Sequence, residues 1–458
     1  MEKTSSKNGK VLTLLFAGVL MGALDISIVG PAIPSIEKAL FVSGRSLSWI
    51  FSIYVLFNLV GIPLMSKLSD LFGRRNVYVW SVGLFGLGSL LVSFTEYFPI
   101  LLIGRAIQGF GASGIFPVAS AIIGDIYPPE KRGRKLGLLG AVFGIAFMLG
   151  PPIAGIILRY FDWNFLFIIN LPIALIIIVF AYNILPTKTI MKRTEFDVPG
   201  VVLLGLFLAS FTLGINFLDS KQLLVSLKSL DVWPFLVASL VFLYLLIKAE
   251  LKISKPIIRI SFFSNRQILL VGGMAIGLGL FQSSFIFVPK MLVNLFDVQP
   301  FTASFMLIPI VLLSALGSPI SGRLTDSFGS KYVIFWGLVA ASAGMFMVAV
   351  IAADKALFYL AGSLIGLGFS MRTALNYIML NEVGATDRAT SQGLLTIFIS
   401  LGQLTGSALI GAMIATDPNG ISGFRQAFLI LGGISALLAF LSLWLKNRSN
   451  ELARQSQD

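Results

Sequence analysis

Apolar runs of about 20 residues follow one another along this chain with little polar sequence between them. Each is long enough to cross a hydrocarbon core of about 30 Å. Inside a bilayer every backbone amide must find its partner within the protein, so such runs fold as helices or as strands of a closed barrel. Runs this long and continuously apolar select helices. Fourteen are predicted, at roughly 11–33, 48–68, 76–95, 98–123, 136–158, 165–185, 199–218, 232–249, 267–289, 302–322, 332–352, 356–378, 391–414 and 424–445. Only 12% of the residues are charged, against about 25% in soluble domains. The expected class is an all-α, multi-pass integral membrane protein with the lipid bilayer as its surroundings.

The net charge of +13 sits in short clusters between the apolar runs. That is the layout of positive-inside loops, and no nucleic-acid partner is expected. With the N-terminus inside, the inner segments hold 24 of the 34 Lys and Arg, the outer loops 7 and the spans 3. Both termini are therefore expected in the cytoplasm. Lys7 and Lys10 precede the first run, but it is too long for a signal-peptide core and more spans follow at once, so it reads as an uncleaved first helix. The chain has no Cys and no His, so disulfides, thiol chemistry and the usual zinc or haem sites are not expected. No metal and no cofactor is expected, and any proton relay must use carboxylates.

An internal repeat organises the chain. Ser66 to Arg75, SKLSDLFGRR, follows the second run, and Gly322 to Lys331, GRLTDSFGSK, follows the tenth. Asp, Phe and Gly match in register, and each copy leads into a run bearing a Trp, Trp80 or Trp336. Two similar halves imply parallel bundles around a midplane site. The expected division is a six-helix bundle at 1–190, two inserted helices with linkers at 191–260, and a second six-helix bundle at 261–458.

Charged residues inside spans are costly and mark pathways or pairs. Asp25 lies well inside the first run, in its outer half, and Arg105 lies in the fourth. Counting about 1.5 Å per residue places both roughly 5 Å to the outer side of the midplane. Burial disfavours a charged carboxylate, so Asp25 either loads and releases a proton as its exposure changes or packs against a neighbouring hydroxyl. Arg105 either competes with proton and substrate for Asp25 or forms a static pair with it. Gln108, Gly109, Gly111 and Gly114 thin one face of the same helix. Arg372 in the twelfth run either lines a cavity, where it would draw anionic or zwitterionic substrates, or pairs with Glu382. Lys290 is expected to snorkel to the outer surface. Tyr54, Asn58, Gln108, Phe281, Gln282, Asn376 and Gln403 are candidate polar or aromatic cavity contacts.

Five motifs together resemble the major facilitator superfamily, specifically its fourteen-helix drug:proton antiporter group. SKLSDLFGRR resembles the loop motif GxLxDrxGrr, with Ser66 for the first Gly, and LLIGRAIQGFGAS resembles the fourth-helix motif RxxQGxGaa. Gly150-Pro151-Pro152-Ile153-Ala154-Gly155 resembles the antiporter motif GPxxGG, with Ala154 for the first closing Gly. Leu24 to Val29 with Ala32-Ile33-Pro34 resembles LDxTIVNxALP, and Asp162 to Pro172 resembles WRWxFxINxP, with Asn164 where Arg is usual. The resemblance covers nearly the whole chain. It implies the major facilitator fold with two extra helices between the bundles. It also implies a proton-coupling or substrate role for Asp25, with Arg105 as counterpart. Asp70, Gly73, Arg74 and Arg75 become a cytoplasmic latch, with Asp326 in the weaker copy, although the same residues also serve as a positive-inside loop. Gly144, Gly150, Pro151, Pro152 and Gly155 mark the helix that distinguishes exporters.

The leading functional expectation is a proton-coupled antiporter that exports drugs or other amphipathic small molecules from the cytoplasm by alternating access, driven by the proton gradient. The rival of the same fold exports a defined metabolite, anionic or lipid-like. An enzyme is not expected, since no His and no interfacial acid cluster is present, and no GxxxxGK[ST] loop supports ATP hydrolysis. A channel is disfavoured, because the runs carry no ring of repeated polar residues. The expected partners are a small-molecule substrate, protons and lipid. The expected location is a prokaryotic inner (plasma) membrane, with the protein acting as a monomer.

Overall fold

The computed structural model describes residues 2–42, 44–127, 129–185, 197–218, 222–253, 256, 258–350, 354–383, 388–417, 420–449 and 451, and some helical side chains lie outside that description. No strand occurs among the described residues. The helices in order are α1 (Glu2–Leu40), α2 (Gly44–Phe72), α3 (Arg74–Ser93), α4 (Phe98–Ile126), α5 (Pro129–Tyr160), α6 (Phe165–Ile168), α7 (Asn170–Ile184), α8 (Val198–Asn216), α9 (Leu223–Ser226) and α10 (Trp233–Glu250). A short 3-10 turn leads to α11 (Arg266–Ser284), α12 (Val288–Phe296), α13 (Pro300–Phe305), α14 (Ile308–Phe328), α15 (Ser330–Val350), α16 (Lys355–Phe369), α17 (Arg372–Asn381), α18 (Arg388–Ile414) and α19 (Ser422–Ser442).

Fourteen continuous spans are expected from the sequence, whereas twelve helical segments among the described residues are long and apolar enough to cross a membrane. The run at 136–158 lies in α5, several of whose side chains are outside the description. The run at 356–378 is divided between α16 and α17. Ser370 and Met371 turn tightly there, their amides bonding the carbonyls of Leu367 and Gly368 at 3.1 and 3.2 Å. The Ser370 hydroxyl also donates to the Leu367 carbonyl at 2.6 Å. A serine that bonds its own preceding turn competes with the helical ladder. No proline announces this break. By contrast α5 runs unbroken through Pro151 and Pro152.

The sequence repeat has a backbone counterpart. Gly73 ends α2 with φ 87° and Gly329 ends α14 with φ 90°, a conformation open to glycine but strained for other residues. Around these turns, α2, α3 and α4 pack together, as do α14, α15 and α16. The pair α8 and α10 pack on each other, and α8 also lies on both α2 and α18. The inserted pair thus sits beside the line where the two halves meet.

That line is joined at one level of the molecule. Lys290 is ion-paired with Glu37, the Ser52 and Ser407 hydroxyls bond at 2.7 Å, and Gly155 of α5 faces Phe301 and Phe305 of α13. All three lie toward the membrane face opposite the basic turns at Arg74, Arg75 and Lys135. That opposite side is called the far face below.

Candidate functional site

The centre of the first half is a buried ionic cluster. Asp25 and Arg105 are both 0% exposed. Arg105 Nη1 donates to Asp25 Oδ2 at 2.6 Å and to Gln108 Oε1 at 2.9 Å. Gln108 Nε2 and Asn170 Nδ2 each donate to Asp25 Oδ1 at 3.1 Å. Gln108 Nε2 also donates to Ser89 Oγ at 2.8 Å. Four helices therefore supply one network: α1, α3, α4 and α7.

Backbone packing lets these groups meet. A side chain at Gly109 would collide with the Tyr54 backbone, so its absence draws α4 against α2. Arg105 Nε can then donate to the Ile50 carbonyl at 3.3 Å, and its guanidinium lies 4.3 Å from the Tyr54 ring centroid. The Phe167 ring closes the other side at 5.8 Å. Cation–π contacts gain strength where water is excluded. Arg105 Nη2 is nevertheless buried without a hydrogen-bond partner among the described residues, so its charge is incompletely satisfied.

Chemically, an ionised Asp25 can accept from every donor aimed at it. A proton on either oxygen would remove an acceptor site and the ionic half of the bond to Arg105.

Several sequence-predicted residues fall elsewhere than expected. Tyr54 and Gln108, taken as cavity contacts, are buried at 2% and 0% exposure as walls of the ionic cluster. Phe281 is fully buried and belongs to the core, because α11 turns that face toward its neighbours. Asn58 is half-buried and donates to the Gly109 carbonyl at 3.3 Å. Gln403 Nε2 donates to Gln282 Oε1 at 3.1 Å, joining α18 to α11. Lys290 does not reach the surface; at 3% exposure it is held by Glu37. Arg372 does not pair with Glu382, which instead accepts from Lys446 at 2.6 Å and Asn265 at 2.8 Å. Asn376 is half-buried one turn beyond Arg372.

In the loop motif, Arg74 donates to Ser69 Oγ at 2.6 Å and to Asp125 Oδ2 at 3.3 Å. Arg75 donates to the Tyr182 carbonyl at 3.2 Å. These contacts stay within the first half. The side chains of Asp70 and Asp326 and the surroundings of Gly144 lie outside the described residues. Gly150 packs against Ser27, whose hydroxyl donates to the Ala146 carbonyl at 3.1 Å, so α5 grips α1 two residues beyond Asp25.

Asn170 and Ser89 have no role in the sequence reading, yet Asn170 donates to Asp25 and Ser89 accepts from the two amides, of Gln108 and Asn170, that hold Asp25. Asn170 lies in the matched stretch from Asp162 to Pro172, which was the available signal. Ser89 carried none.

The Major Facilitator Superfamily description matches twice, over residues 15–313 and 269–458. The chain is 33% identical over 435 residues to the uncharacterized MFS-type transporter YfiU of Bacillus subtilis (strain 168), covering 92% of this chain and 82% of that one. It is 28% identical to multidrug resistance protein 3 of the same organism, covering 90% and 81%. Among solved structures, the nucleoside transporter NupG superposes with a TM-score of 0.68 at 15% identity, covering 95% of this chain and 98% of that one. That likeness concerns the fold alone.

Proposed function

From the premise that this chain belongs to the major facilitator superfamily and is a multi-pass membrane transporter, we propose that it is a proton-coupled antiporter exporting amphipathic small molecules from the cytoplasm. The observation that carries the proposal is the buried Asp25–Arg105 pair with Gln108 and Asn170 around it. One carboxylate cannot hold proton, arginine and substrate together, and that exclusion is the basis of exchange. Proton uptake by Asp25 frees Arg105, and the strain of an uncompensated buried cation drives the rearrangement. The basic turns mark the cytoplasmic face, so the joined far face is the outer one and this conformation is inward-facing. Arg74 and Arg75, on the basic turn after α2, then latch the opposite state. The grip of α5 on α1 couples the cluster to the helix that seals the outer seam. Among relatives, the likeness to a multidrug resistance protein supports a broad amphipathic substrate class.

Fourteen crossings are part of the same proposal: the twelve apolar helical segments, α5, and α16 with α17 counted as one broken span. The two bundles span 1–190 and 261–458, with the inserted pair between them. The protein works as a monomer in a prokaryotic inner membrane, with both termini cytoplasmic and no cofactor beyond the proton gradient.

The test uses inside-out vesicles loaded acid inside, to which ethidium or rhodamine 110 is added while internal pH is followed. Dye-triggered proton release in wild type and its loss in Asp25→Asn is the expected outcome. Release that persists in Asp25→Asn removes Asp25 from proton coupling. No release with either dye in wild type, in vesicles that accumulate the dye, removes antiport.

A further inference from the structure

The sequence places three cations inside apolar runs: Arg105, Lys290 and Arg372. Two of them have carboxylate partners, Asp25 and Glu37. Arg372 has no hydrogen bond or ion pair among the described residues. Its one nearby acid on the same helix, Glu382, is held by Lys446 and Asn265 and lies ten residues on, about 15 Å along the axis.

The Arg372 side chain is exposed, although its helix is packed among others. Helix α17 is flanked by α11, α14, α15 and α18, all from its own half. On the function proposed above, the side of α17 that these four neighbours leave free is the one that faces the transport cavity. Asn376, one helical turn along, presents a half-buried amide on the same face.

One turn before Arg372 the surroundings become aromatic. The Phe369 and Phe285 rings pack with centroids 5.0 Å apart, and the Phe285 backbone abuts Gly30 of α1 across the seam. A cation with no hydrogen bond or ion pair among the described residues therefore lies one turn in sequence from an aromatic pair at the junction of the two halves. The tight turn at Ser370 and Met371 satisfies its own amides, so the guanidinium and not the backbone is what is offered. Arginine binds carboxylates through paired, planar hydrogen bonds.

We propose that Arg372 is the anion-binding subsite of the transport cavity, and that the substrates are flat aromatic amphiphiles bearing a carboxylate. This deepens the exporter function proposed above and rests on it for the existence of a central cavity. Asp25 handles the proton in the first half, and Arg372 selects the charge of the cargo in the second. A cationic group on a zwitterionic substrate is tolerated, but a carboxylate is required for tight binding.

The experiment is equilibrium binding to the full-length protein in phosphatidylcholine nanodiscs, read by fluorescence polarisation. The two ligands are rhodamine 110, which carries a free carboxylate, and its methyl ester rhodamine 123, which does not. Wild type is expected to prefer the carboxylate by about tenfold, the least that one charge-assisted hydrogen bond provides. Arg372→Gln abolishes the preference while leaving ester binding intact, which also shows that the variant is folded. Arg372→Lys restores part of it. Equal binding of the two dyes by wild type, a preference that survives Arg372→Gln, or binding of neither dye overturns the proposal. So does loss of the preference when phosphatidylglycerol is added, since that assigns the site to a lipid headgroup. No proton gradient is present, so a failure of antiport through Asp25 and a failure here are read separately.

Discussion

Ser52 and Ser407 meet hydroxyl to hydroxyl at 2.7 Å across 355 positions of sequence, and both are fully buried. The bond ties α2 to α18 on the far face, where Glu37 with Lys290 and Gly155 with Phe305 make the other joins. A transporter that alternates must break all three in each cycle. The first two are hydroxyl and ionic contacts, which separate without exposing a large apolar area, and the third presents only a glycine to the phenyl ring.

Freezing this join should stop the cycle. The chain has no native cysteine, so Ser52→Cys/Ser407→Cys introduces a single possible disulfide. The hydroxyl separation places the two sulfurs near bonding distance. Oxidation is expected to remove both thiols from maleimide labelling and to abolish vesicle uptake, and reductant should restore both. Full uptake by the oxidised, label-resistant protein would show that this seam does not open during transport.

The buried pair should be costly to break from one side only. Asp25→Asn leaves Arg105 charged and unpaired at 0% exposure, a loss of about 3–5 kcal/mol for a buried pair. A lowered thermal unfolding midpoint in detergent reports it. Asp25→Asn/Arg105→Gln removes both charges and should recover part of that loss. A double variant no better than the sum of the single ones would show that the two charges are not coupled.

Asn170 gives a milder and more specific test. It donates to Asp25 Oδ1 at 3.1 Å and lies within 3.4 Å of Ser89 Oγ. Asn170→Ala removes one donor without creating a charge and should cost about 1–3 kcal/mol. With one donor fewer holding Asp25 in place, dye uptake by vesicles should fall below wild type, and Asn170→Asp, which keeps the shape but not the donor, should not restore it. Unchanged uptake by Asn170→Ala would make Asn170 a packing residue.

The contrast between Asn170 and Asp25 shows where the sequence was legible. Asp25 and Arg105 stand out because a charge in an apolar run has few physical excuses, and depth counting was enough to pair them. The helices, the repeat and the turn glycines were legible for the same reason, since a bilayer permits few structures. Side-chain direction was not. Phe281, Tyr54 and Gln108 were assigned to a cavity by type, but burial depends on which way each helix faces its neighbours. The break at Ser370 was hidden because one hydroxyl bonding its own helix leaves no mark in composition.

The closing seam also depends on a missing side chain. A Cβ at Gly155 would lie 2.8 Å from the Phe305 ring, closer than real contacts allow. Gly155→Leu is therefore expected to wedge α5 from α13 and hold the far face apart. Ser304, fully buried on α13 and donating to the Pro300 carbonyl at 2.9 Å, reports on that face. As Ser304→Cys it should resist a membrane-impermeant maleimide in the otherwise wild-type chain and react once Gly155→Leu is added. The same variant should still bind a cavity ligand but fail to release it through a full cycle, because one of its two conformations can no longer close. Continued resistance of Ser304→Cys in the Gly155→Leu background would mean that the Phe305 ring simply moves aside, and that the glycine serves helix packing alone.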